Sequence, residues 1–312
     1  MSEVTRVVMV GAGAIGSFYG AILKRAGCHV SVVLRSEYDV VREKGFAIDS
    51  PLGDLSYQPD AVYRDGDTPD QAPDYVICCV KVLPDVDRGA LLKPWVGDNT
   101  RIVLIENGID IERAVADVFP SNPLISCLAF IAVSRTEPGR IEHKAFGQLT
   151  MGAWPEGVSD DCREIASRFE AGGINIKLSE SVVAERWRKS LWNTPFNPLS
   201  VLAGGADTVT MLDTEGGEAL AREMMAEVMA VAAADGHPMP EDAIDKNISG
   251  TRKMPAYRNS MALDYLNGRP MEIDAILGNV VAIARRHGVP VPRLETMRAA
   301  LAMREVLASK SA

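Results

Sequence analysis

The sequence predicts an α/β domain built on a parallel sheet, followed by a second, mostly helical domain. In the first half, short apolar runs alternate with helical stretches, which is typical of strands buried on both faces of a parallel sheet. After about Ser181 this alternation ends, and long segments rich in Ala, Met, Leu, Glu and Arg follow. The length of 312 residues also favours two domains, which we place at residues 1–180 and 181–312.

The predicted elements follow this division. Strands are predicted at Arg6–Val10, His29–Leu34, Asp74–Val80, Arg101–Ile105, Leu124–Val133, Arg140–Lys144, Gln148–Gly152 and Ile174–Leu178. Helices are predicted at Ala14–Ala26, Arg163–Ala171, Glu215–Asp235, Glu272–Gly288 and Arg293–Ala308. The segment Trp187–Leu202 is also apolar and is interpreted as a helix.

Composition and charge exclude several classes of partner. The net charge of −9 repels nucleic acid and anionic membranes, and no apolar run is long enough to cross a bilayer. The five cysteines form no C-x-x-C pair, which favours a reducing compartment without disulfides. We therefore expect a cytoplasmic protein that acts on a small molecule and holds no metal. The apolar helical domain leaves room for a homodimer.

A glycine motif near the N-terminus predicts a dinucleotide site. Gly11, Gly13 and Gly16 follow a strand and open a helix, which is the context that gives the pattern G-x-G-x-x-G its meaning. The three glycines permit a tight turn, a close approach of backbone to pyrophosphate, and helix packing on the sheet. The backbone N–H groups around Ala14 and Ile15, at the helix N-terminus, attract phosphate.

The end of the second strand distinguishes between the two nicotinamide cofactors. NAD sites usually carry an acidic residue there, whereas this chain has Arg35 and Ser36, which suit a 2′-phosphate. NADP is therefore the favoured cofactor, and NAD stays the alternative because Glu37 is close enough to reach a ribose. Lys81 and Asn107 follow later strands and are expected at the same edge of the sheet.

A polar stripe in the apolar segment predicts the second, chemical half of the site. Lys189, Asn193 and Asn197 are spaced four apart, so that successive members rotate by only about 40° around a helix and share a face. Apolar neighbours such as Trp187 should desolvate the lysine and lower its pKa toward the range of a proton donor. The alternative is a lysine whose charge reaches solvent past an apolar stem. Pro195 is expected to kink this helix.

A later cluster adds two candidates. Ser260 is a donor suited to a substrate carboxylate. Glu272 is placed to orient the lysine or to bond a substrate hydroxyl, although an acidic residue near a helix start is often only a partner of the helix dipole.

Taken together, these motifs resemble the ketopantoate reductases (2-dehydropantoate 2-reductases) over nearly the whole chain. The matching motifs are the glycine pattern, Val80-Lys81, Asn107-Gly108, Pro138-Gly139-x-Ile141-x-His143, the run W-x-K-x-x-x-N-x-x-x-N-P-L from Trp187 to Leu199, and S-M-x-x-D at Ser260 followed by E-I-D at Glu272. The last two are the specific ones.

The resemblance implies a Rossmann domain joined to an all-α domain like the C-terminal domain of 6-phosphogluconate dehydrogenase, with the active site in the cleft between them. It implies NADPH-dependent reduction of 2-dehydropantoate to pantoate, in pantothenate biosynthesis. Lys189 would be the general acid, and Glu272 would assist it. Substrate would be positioned by Asn107, Asn193, Asn197 and Ser260, and NADPH would be contacted by Arg35, Lys81 and Asn107.

Some residues depart from the family pattern and keep other readings open. Glu106 stands where the family often has glutamine, and Tyr257 and Asp207 stand where some members carry asparagine, so the identity of the 2-oxo acid is open. The alternatives are a hydroxyacid dehydrogenase working in the oxidative direction and a non-catalytic NADPH-binding sensor. An opine-type dehydrogenase would use a histidine, but His237 and His287 stand at helix-end turns.

Overall fold

The computed structural model describes residues 4–311, and the side chains within them up to residue 307. The chain forms two compact units. The second unit comprises Val82–Asp85, Asn107–Asp110 and the chain from Arg186 onwards, and the first comprises the remaining residues up to Glu185. The units are therefore not two uninterrupted halves, since two short loops of the N-terminal half belong to the helical unit.

The first unit carries the sheet and the shorter helices. Its strands are β1 (Arg6–Val10), β2 (His29–Val33), β3 (Ala47–Asp49), β4 (Ala61–Tyr63), β5 (Tyr75–Cys78), β6 (Arg101–Ile105), β7 (Leu124–Glu137), β8 (Arg140–Ala153) and β9 (Ile176–Leu178). Its helices are α1 (Ala14–Arg25), α2 (Tyr38–Lys44), α3 (Arg88–Leu92), α4 (Arg113–Ala116) and α5 (Asp160–Ala171).

The strand order is that of a doubly wound nucleotide-binding sheet. The sheet runs β3-β8-β7-β6-β5-β1-β2-β4, with β9 beside β8. Six neighbouring strands of this sheet are parallel, in the spatial order β4-β2-β1-β5-β6-β7. Numbered one to six in the order in which they occur along the chain, these strands have the spatial arrangement 3-2-1-4-5-6. Val10 pairs with both Val33 and Cys78, so the residues that follow β1, β2 and β5 meet at one edge. The predicted parallel sheet is confirmed.

The core of this unit explains why the strands read as continuous apolar runs. Tyr75–Cys78 are all buried, and so are the last four residues of β1. Phe18 and Ile22 of α1 are fully buried in the same cluster. Both faces of the central strands are covered, which removes the alternation of polar and apolar residues that a half-exposed sheet would show.

Two elements differ from the predictions. Arg140–Lys144 and Gln148–Gly152, predicted as separate strands, form the single strand β8. The turn-like residues between them are accommodated as a bulge, with φ of +68° at Phe146 and +119° at Gly147 and a register shift against β7. The predicted helix Glu272–Gly288 is in fact a π-helical segment, Asp274–Gly278, followed directly by an α-helix.

The second unit is helical. After α6 (Val182–Leu202), whose first turn belongs to the first unit, the helices are α7 (Thr208–Asp213), α8 (Gly217–Ala234), α9 (Ala243–Arg252), α10 (Ser260–Leu266), α11 (Asn279–His287) and α12 (Pro292–Ser311). Met224 and Met225 of α8 are fully buried, as expected of core methionines. α6 continues through both Pro195 and Pro198. In the part of the chain that the structure describes, no helix is long and apolar enough to span a bilayer.

Candidate active site

The glycine turn after β1 has the geometry that a dinucleotide needs. Gly11 has φ of +85°, and a Cβ built on it would lie 2.5 Å from Cγ1 of Val80. A Cβ on Gly16 would lie 2.6 Å from the carbonyl oxygen of Gly11, so this helix packs closely on the turn. A Cβ on Gly13 would meet nothing within 4 Å. Gly13 therefore borders open space that a ligand can fill, whereas the other two glycines are required by the protein itself.

Helix α1 presents an open N-terminus beside this turn. It begins at Ala14, and Gly13 is the N-cap residue, which has no side chain to satisfy the first N–H groups. The Ser17 hydroxyl lies 2.9 Å from the Ala12 carbonyl oxygen and 2.7 Å from the Gly13 carbonyl oxygen, and its hydrogen is shared between them. This contact stabilises the turn. The N–H groups of the first turn, including those of Ala14 and Ile15, suit a pyrophosphate. The residues present fit a dinucleotide.

The residues after β2 distinguish between the two nicotinamide cofactors. Arg35 and Ser36 are exposed at this edge. Glu37, which left NAD as an alternative cofactor because it could reach a ribose, is only 4% exposed. Its carboxylate accepts from the Gly139 N–H at 2.9 Å and forms an ion pair with Arg135. Glu37 is thus engaged in holding the β7–β8 hairpin.

A second arginine, which no local sequence pattern indicates, lies at the same edge. Arg64 follows β4, and the Leu34 N–H after β2 donates to the Tyr63 carbonyl at 2.9 Å. The Arg64 guanidinium carbon lies 4.0 Å from the Tyr38 ring centroid, and the guanidinium forms a 2.8 Å ion pair with Asp39. The sequence does not indicate that Arg64 follows a strand, because a strand of three residues is too short to show a periodic pattern.

The residues after β5 and β6 differ in their surroundings. Lys81 is half-buried at this edge. Glu106 is buried, and its carboxylate forms a 2.6 Å ion pair with Arg88 and accepts from the Cys78 thiol at 3.1 Å. Arg88 also donates to the Ile111 carbonyl. The charge that replaces the family's glutamine is therefore neutralised by an arginine inside the first unit.

The second unit brings together Lys189, Asn107 and Glu272. The Lys189 ammonium donates to Oδ1 of Asn107 at 2.8 Å. Nδ2 of Asn107 lies 3.4 Å from Oε2 of Glu272, and the other carboxylate oxygen accepts from the Val82 N–H at 3.0 Å. An amide thus connects the predicted acid to the predicted assisting carboxylate.

The electrostatics of this cluster favour proton donation. Burial lowers the pKa of Lys189 to about 8, and the neighbouring Arg186 acts in the same direction, while Glu272 opposes them. The predicted desolvation of the lysine is confirmed. Arg186, which the sequence analysis did not single out, is itself buried and donates to the Gly108 carbonyl at 3.1 Å. It therefore also fixes the loop that carries Asn107.

The two other amides of the stripe lie on the same helix. Asn193 is half-buried. Asn197 is 1% exposed, and its side-chain oxygen has no hydrogen-bond partner among the described residues. An unmet buried acceptor costs about 1–3 kcal/mol. A hydrogen-bond donor supplied by a ligand or by water would remove this cost.

Ser260 is held near this part of α6 by the residue before it. Ser260 is exposed and is the first residue of α10. Asn259 is the N-cap: its oxygen accepts from the Ala262 N–H at 2.8 Å, and its amide donates to the Phe196 carbonyl at 3.2 Å. Phe196 precedes Asn197. The start of α10 is therefore fixed against α6 by a contact that no local pattern revealed.

The remaining candidates have structural roles. Asp207 caps α7 by accepting from the Thr210 N–H at 2.8 Å, which accounts for one departure from the family. His143 is buried, which lowers its pKa, and its Nδ1 lies 2.8 Å from the Ser50 hydroxyl. His287 ends α11 and lies 3.1 Å from Asp235. Within the described residues no cluster suited to a metal ion is found.

A doubly wound sheet with an open glycine turn, and a helical unit with a half-buried lysine of lowered pKa, define a dinucleotide-dependent oxidoreductase. Residues 7–156 match the family described as ketopantoate reductase PanE/ApbA, and residues 181–305 match its C-terminal family. The chain belongs to the ketopantoate reductase PanE/ApbA family, which confirms the resemblance and the two-part fold.

Three similar proteins match this chain along almost their full lengths. The 2-dehydropantoate 2-reductase of Nostoc sp. is 32% identical over 94% of this chain and 92% of its own. The solved 2-dehydropantoate 2-reductase of Methylococcus capsulatus is 48% identical over 97% of this chain and 98% of its own, with a TM-score of 0.92. D-mandelate dehydrogenase with NADH and anilino(oxo)acetate is 17% identical over 98% of this chain and 99% of its own; its TM-score of 0.88 shows a shared fold alone.

Proposed function

We propose that this protein is an NADPH-dependent reductase of a 2-oxo acid, namely 2-dehydropantoate, which it reduces to pantoate in pantothenate biosynthesis. The observation that carries the proposal is the half-buried Lys189, whose pKa is lowered to about 8 and whose ammonium donates to Asn107 beside Glu272. Relatives named 2-dehydropantoate 2-reductase that match along nearly the whole chain support the choice of substrate.

Lys189 is the proposed general acid. NADPH, when bound, supplies the hydride that goes to the carbonyl carbon. Negative charge then develops on the carbonyl oxygen, where an ammonium in a water-poor site stabilises it. Lys189 donates a proton to this oxygen, and a pKa of about 8 keeps the lysine protonated at neutral pH while making that proton easy to release.

Asn107 and Glu272 are proposed to aim the lysine. An amide side chain presents either its oxygen or its nitrogen to a neighbour. Here the Glu272 carboxylate takes the nitrogen side of Asn107, which leaves the oxygen side for the ammonium. Because Val82 holds the other carboxylate oxygen, the whole chain of bonds is fixed in one direction.

Asn193, Asn197 and Ser260 are proposed to position the substrate, together with Asn107. The unmet oxygen of Asn197 suits a hydroxyl donor, which 2-dehydropantoate carries. The Ser260 hydroxyl suits its carboxylate. Fixed donors and acceptors of this kind hold the reacting carbon in a single orientation.

NADPH is proposed to be held mainly by the first unit. The turn of Gly11, Gly13 and Gly16, with the N–H groups of Ala14 and Ile15, would take the pyrophosphate. Lys81 would add a polar contact, and Asn107 of the second unit would add another. Two guanidinium groups, Arg35 and Arg64, follow neighbouring strands and suit a 2′-phosphate. The engagement of Glu37 with the hairpin supports NADPH over NADH.

We further propose that the protein works in the cytoplasm and forms a homodimer. None of the five cysteines is in a disulfide, which suits a reducing compartment. Met303, Val306 and Leu307 are exposed at i, i+3 and i+4 on α12, which forms an apolar stripe. Sedimentation velocity tests the assembly, since a purely monomeric species at micromolar concentration would count against it.

The proposed function is tested by following the loss of nicotinamide absorbance with 2-dehydropantoate, a panel of other 2-oxo acids and an NADH control. Fast turnover confined to NADPH and 2-dehydropantoate supports the proposal. Faster turnover of another oxo acid would keep the chemistry and replace the substrate. Tight NADPH binding without turnover of any oxo acid would favour a sensor instead.

A further inference from the structure

The π-helical segment Asp274–Gly278 lies two residues after Glu272, inside the second unit. Segments of this kind are rare and occur mostly at functional sites. Two successive carbonyls of the segment accept hydrogen bonds from outside it. The Ala275 oxygen accepts from the Ile109 N–H at 3.0 Å, and the Ile276 oxygen accepts from the Thr194 hydroxyl at 2.8 Å.

One of these bonds anchors the loop that carries Asn107. Ile109 is two residues beyond Asn107, and its carbonyl also accepts from the Asn279 amide at 2.7 Å. Both polar backbone groups of Ile109 are therefore bound to the π-helical segment or to the residue directly after it. The loop and Glu272 are thereby attached to the same short stretch of chain.

The other bond anchors helix α6. Thr194 is fully buried and lies five residues after Lys189. Its hydrogen points to the Ile276 carbonyl, so the Ser190 hydroxyl at 2.6 Å must donate to the Thr194 oxygen. The Thr194 hydroxyl therefore donates one bond and accepts another, and the donated bond ties α6 to the π-helical segment.

We propose that Thr194 is a positioning residue for the proton donor, acting through the Ile276 carbonyl to set Lys189 against Asn107 and Glu272. The inference rests on the proposed function, because it concerns the acid of that reaction. The three groups of the Lys189–Asn107–Glu272 chain come from three separate stretches of sequence, and the π-helical segment is where those stretches meet. A displacement of about 1 Å in such a chain is enough to lower turnover 100-fold.

The test compares Thr194→Val, which keeps the shape and removes the hydroxyl, with Thr194→Ser, which keeps the hydroxyl. We expect Thr194→Val to lower kcat about 10-fold or more with little change in the KM for NADPH, and Thr194→Ser to stay near wild type. The matched control is Thr296→Val, which removes an exposed threonine bond to the Pro292 carbonyl of 2.7 Å. Wild-type kcat in Thr194→Val, measured well below its melting temperature, would overturn the proposal.

A second measurement separates this inference from the proposed function. The rate at which an acylating reagent labels Lys189 is followed against pH by peptide mass spectrometry, without substrate. The charged groups acting on Lys189 are Arg186 on its own helix and Glu272. Thr194→Val removes the bond to the Ile276 carbonyl, so Lys189 should shift against its neighbours and its titration should move away from the wild-type value. Asn279→Ala, altered at a half-buried position, should do the same because it removes the bond to the Ile109 carbonyl. If the curves shift in the variants but wild type does not turn over 2-dehydropantoate, the positioning role stands and the proposed substrate is wrong. If the curves shift in neither variant, the positioning role is wrong.

Discussion

Lys189 donates to the Asn107 oxygen, and opposing electrostatic effects set its acidity. Burial disfavours the ammonium and is the largest effect on its pKa, and the neighbouring Arg186 cation acts in the same direction. The Glu272 carboxylate favours the ammonium and opposes both. Burial and Arg186 prevail, so the pKa falls to about 8.

The first prediction concerns the lysine itself. Lys189→Ala should fold and bind NADPH like wild type, because the glycine turn and Arg35 belong to the other unit. Its kcat should fall about 100- to 10,000-fold, which is the usual contribution of a general acid. Steady-state kinetics with a cofactor titration checks this, and near-normal turnover would contradict the assignment.

The second prediction concerns pH. The reacting form of Lys189 is the protonated one, so kcat should be constant below its pKa and decline as pH rises through about 8. Glu272→Gln removes the attraction that raises this pKa, so the decline should begin at lower pH. A pH profile of both proteins gives the direction, and an upward shift in Glu272→Gln would be incompatible with this account.

The third prediction concerns the choice of cofactor. Arg35→Ala should raise the KM for NADPH about 10-fold or more and leave that for NADH nearly unchanged, because only NADPH carries the 2′-phosphate. Arg64→Ala should act in the same direction, more weakly, since Arg64 already pairs with Asp39. The exposed Arg163 of α5, changed to Ala, is the control. Equal effects on both cofactors would exclude the 2′-phosphate contact.

At the scale of elements, different glycines of the turn between β1 and α1 serve protein stability and cofactor binding. Gly13→Ala places a methyl group in open space, so the free energy of unfolding should change little while cofactor binding weakens. Gly16→Ala places one 2.6 Å from the Gly11 carbonyl, so the protein itself should lose stability, by about 1–3 kcal/mol. Thermal melts and cofactor titrations distinguish the two, and the reverse pattern would show that the turn is misassigned.

Elements whose signal is local were predictable, and those that depend on distant partners were not. The spacing of Lys189, Asn193 and Asn197 on one helix follows from the sequence because four residues make about one turn. The π-helical segment after Glu272 does not, since its carbonyls are satisfied by Ile109 and Thr194, which are far away in the chain. The α-helical periodicity continues across it, so it was predicted as an ordinary helix.

The candidate site shows the same limit. Residue types that chemistry demands, such as the lysine, the amides and the glycines, stand out in the sequence. The residues that hold them in place do not. Arg186, Asn259 and Thr194 act through single carbonyl groups of other segments, and nothing in their own neighbours identifies those partners.

At the scale of the whole molecule, cofactor affinity should appear as stability. A ligand that binds only the folded state at 100 times its Kd adds about 2.7 kcal/mol to the free energy of unfolding. At equal concentrations NADPH should therefore raise the Tm more than NADH does, and Arg35→Ala should abolish most of that difference. Differential scanning fluorimetry provides the measurement, and a larger shift with NADH would reverse the assigned preference.

The second unit is encoded in three separate stretches, because Val82–Asp85 and Asn107–Asp110 belong to it. A chimera that exchanges everything before residue 181 with a relative would therefore also replace the asparagine that holds Lys189 and the amide that holds Glu272. In such a chain, the part that sets cofactor preference cannot be exchanged without also changing residues that hold the proton donor. An engineer who wants a new cofactor domain must transplant it around these two loops, which stay with the helical unit.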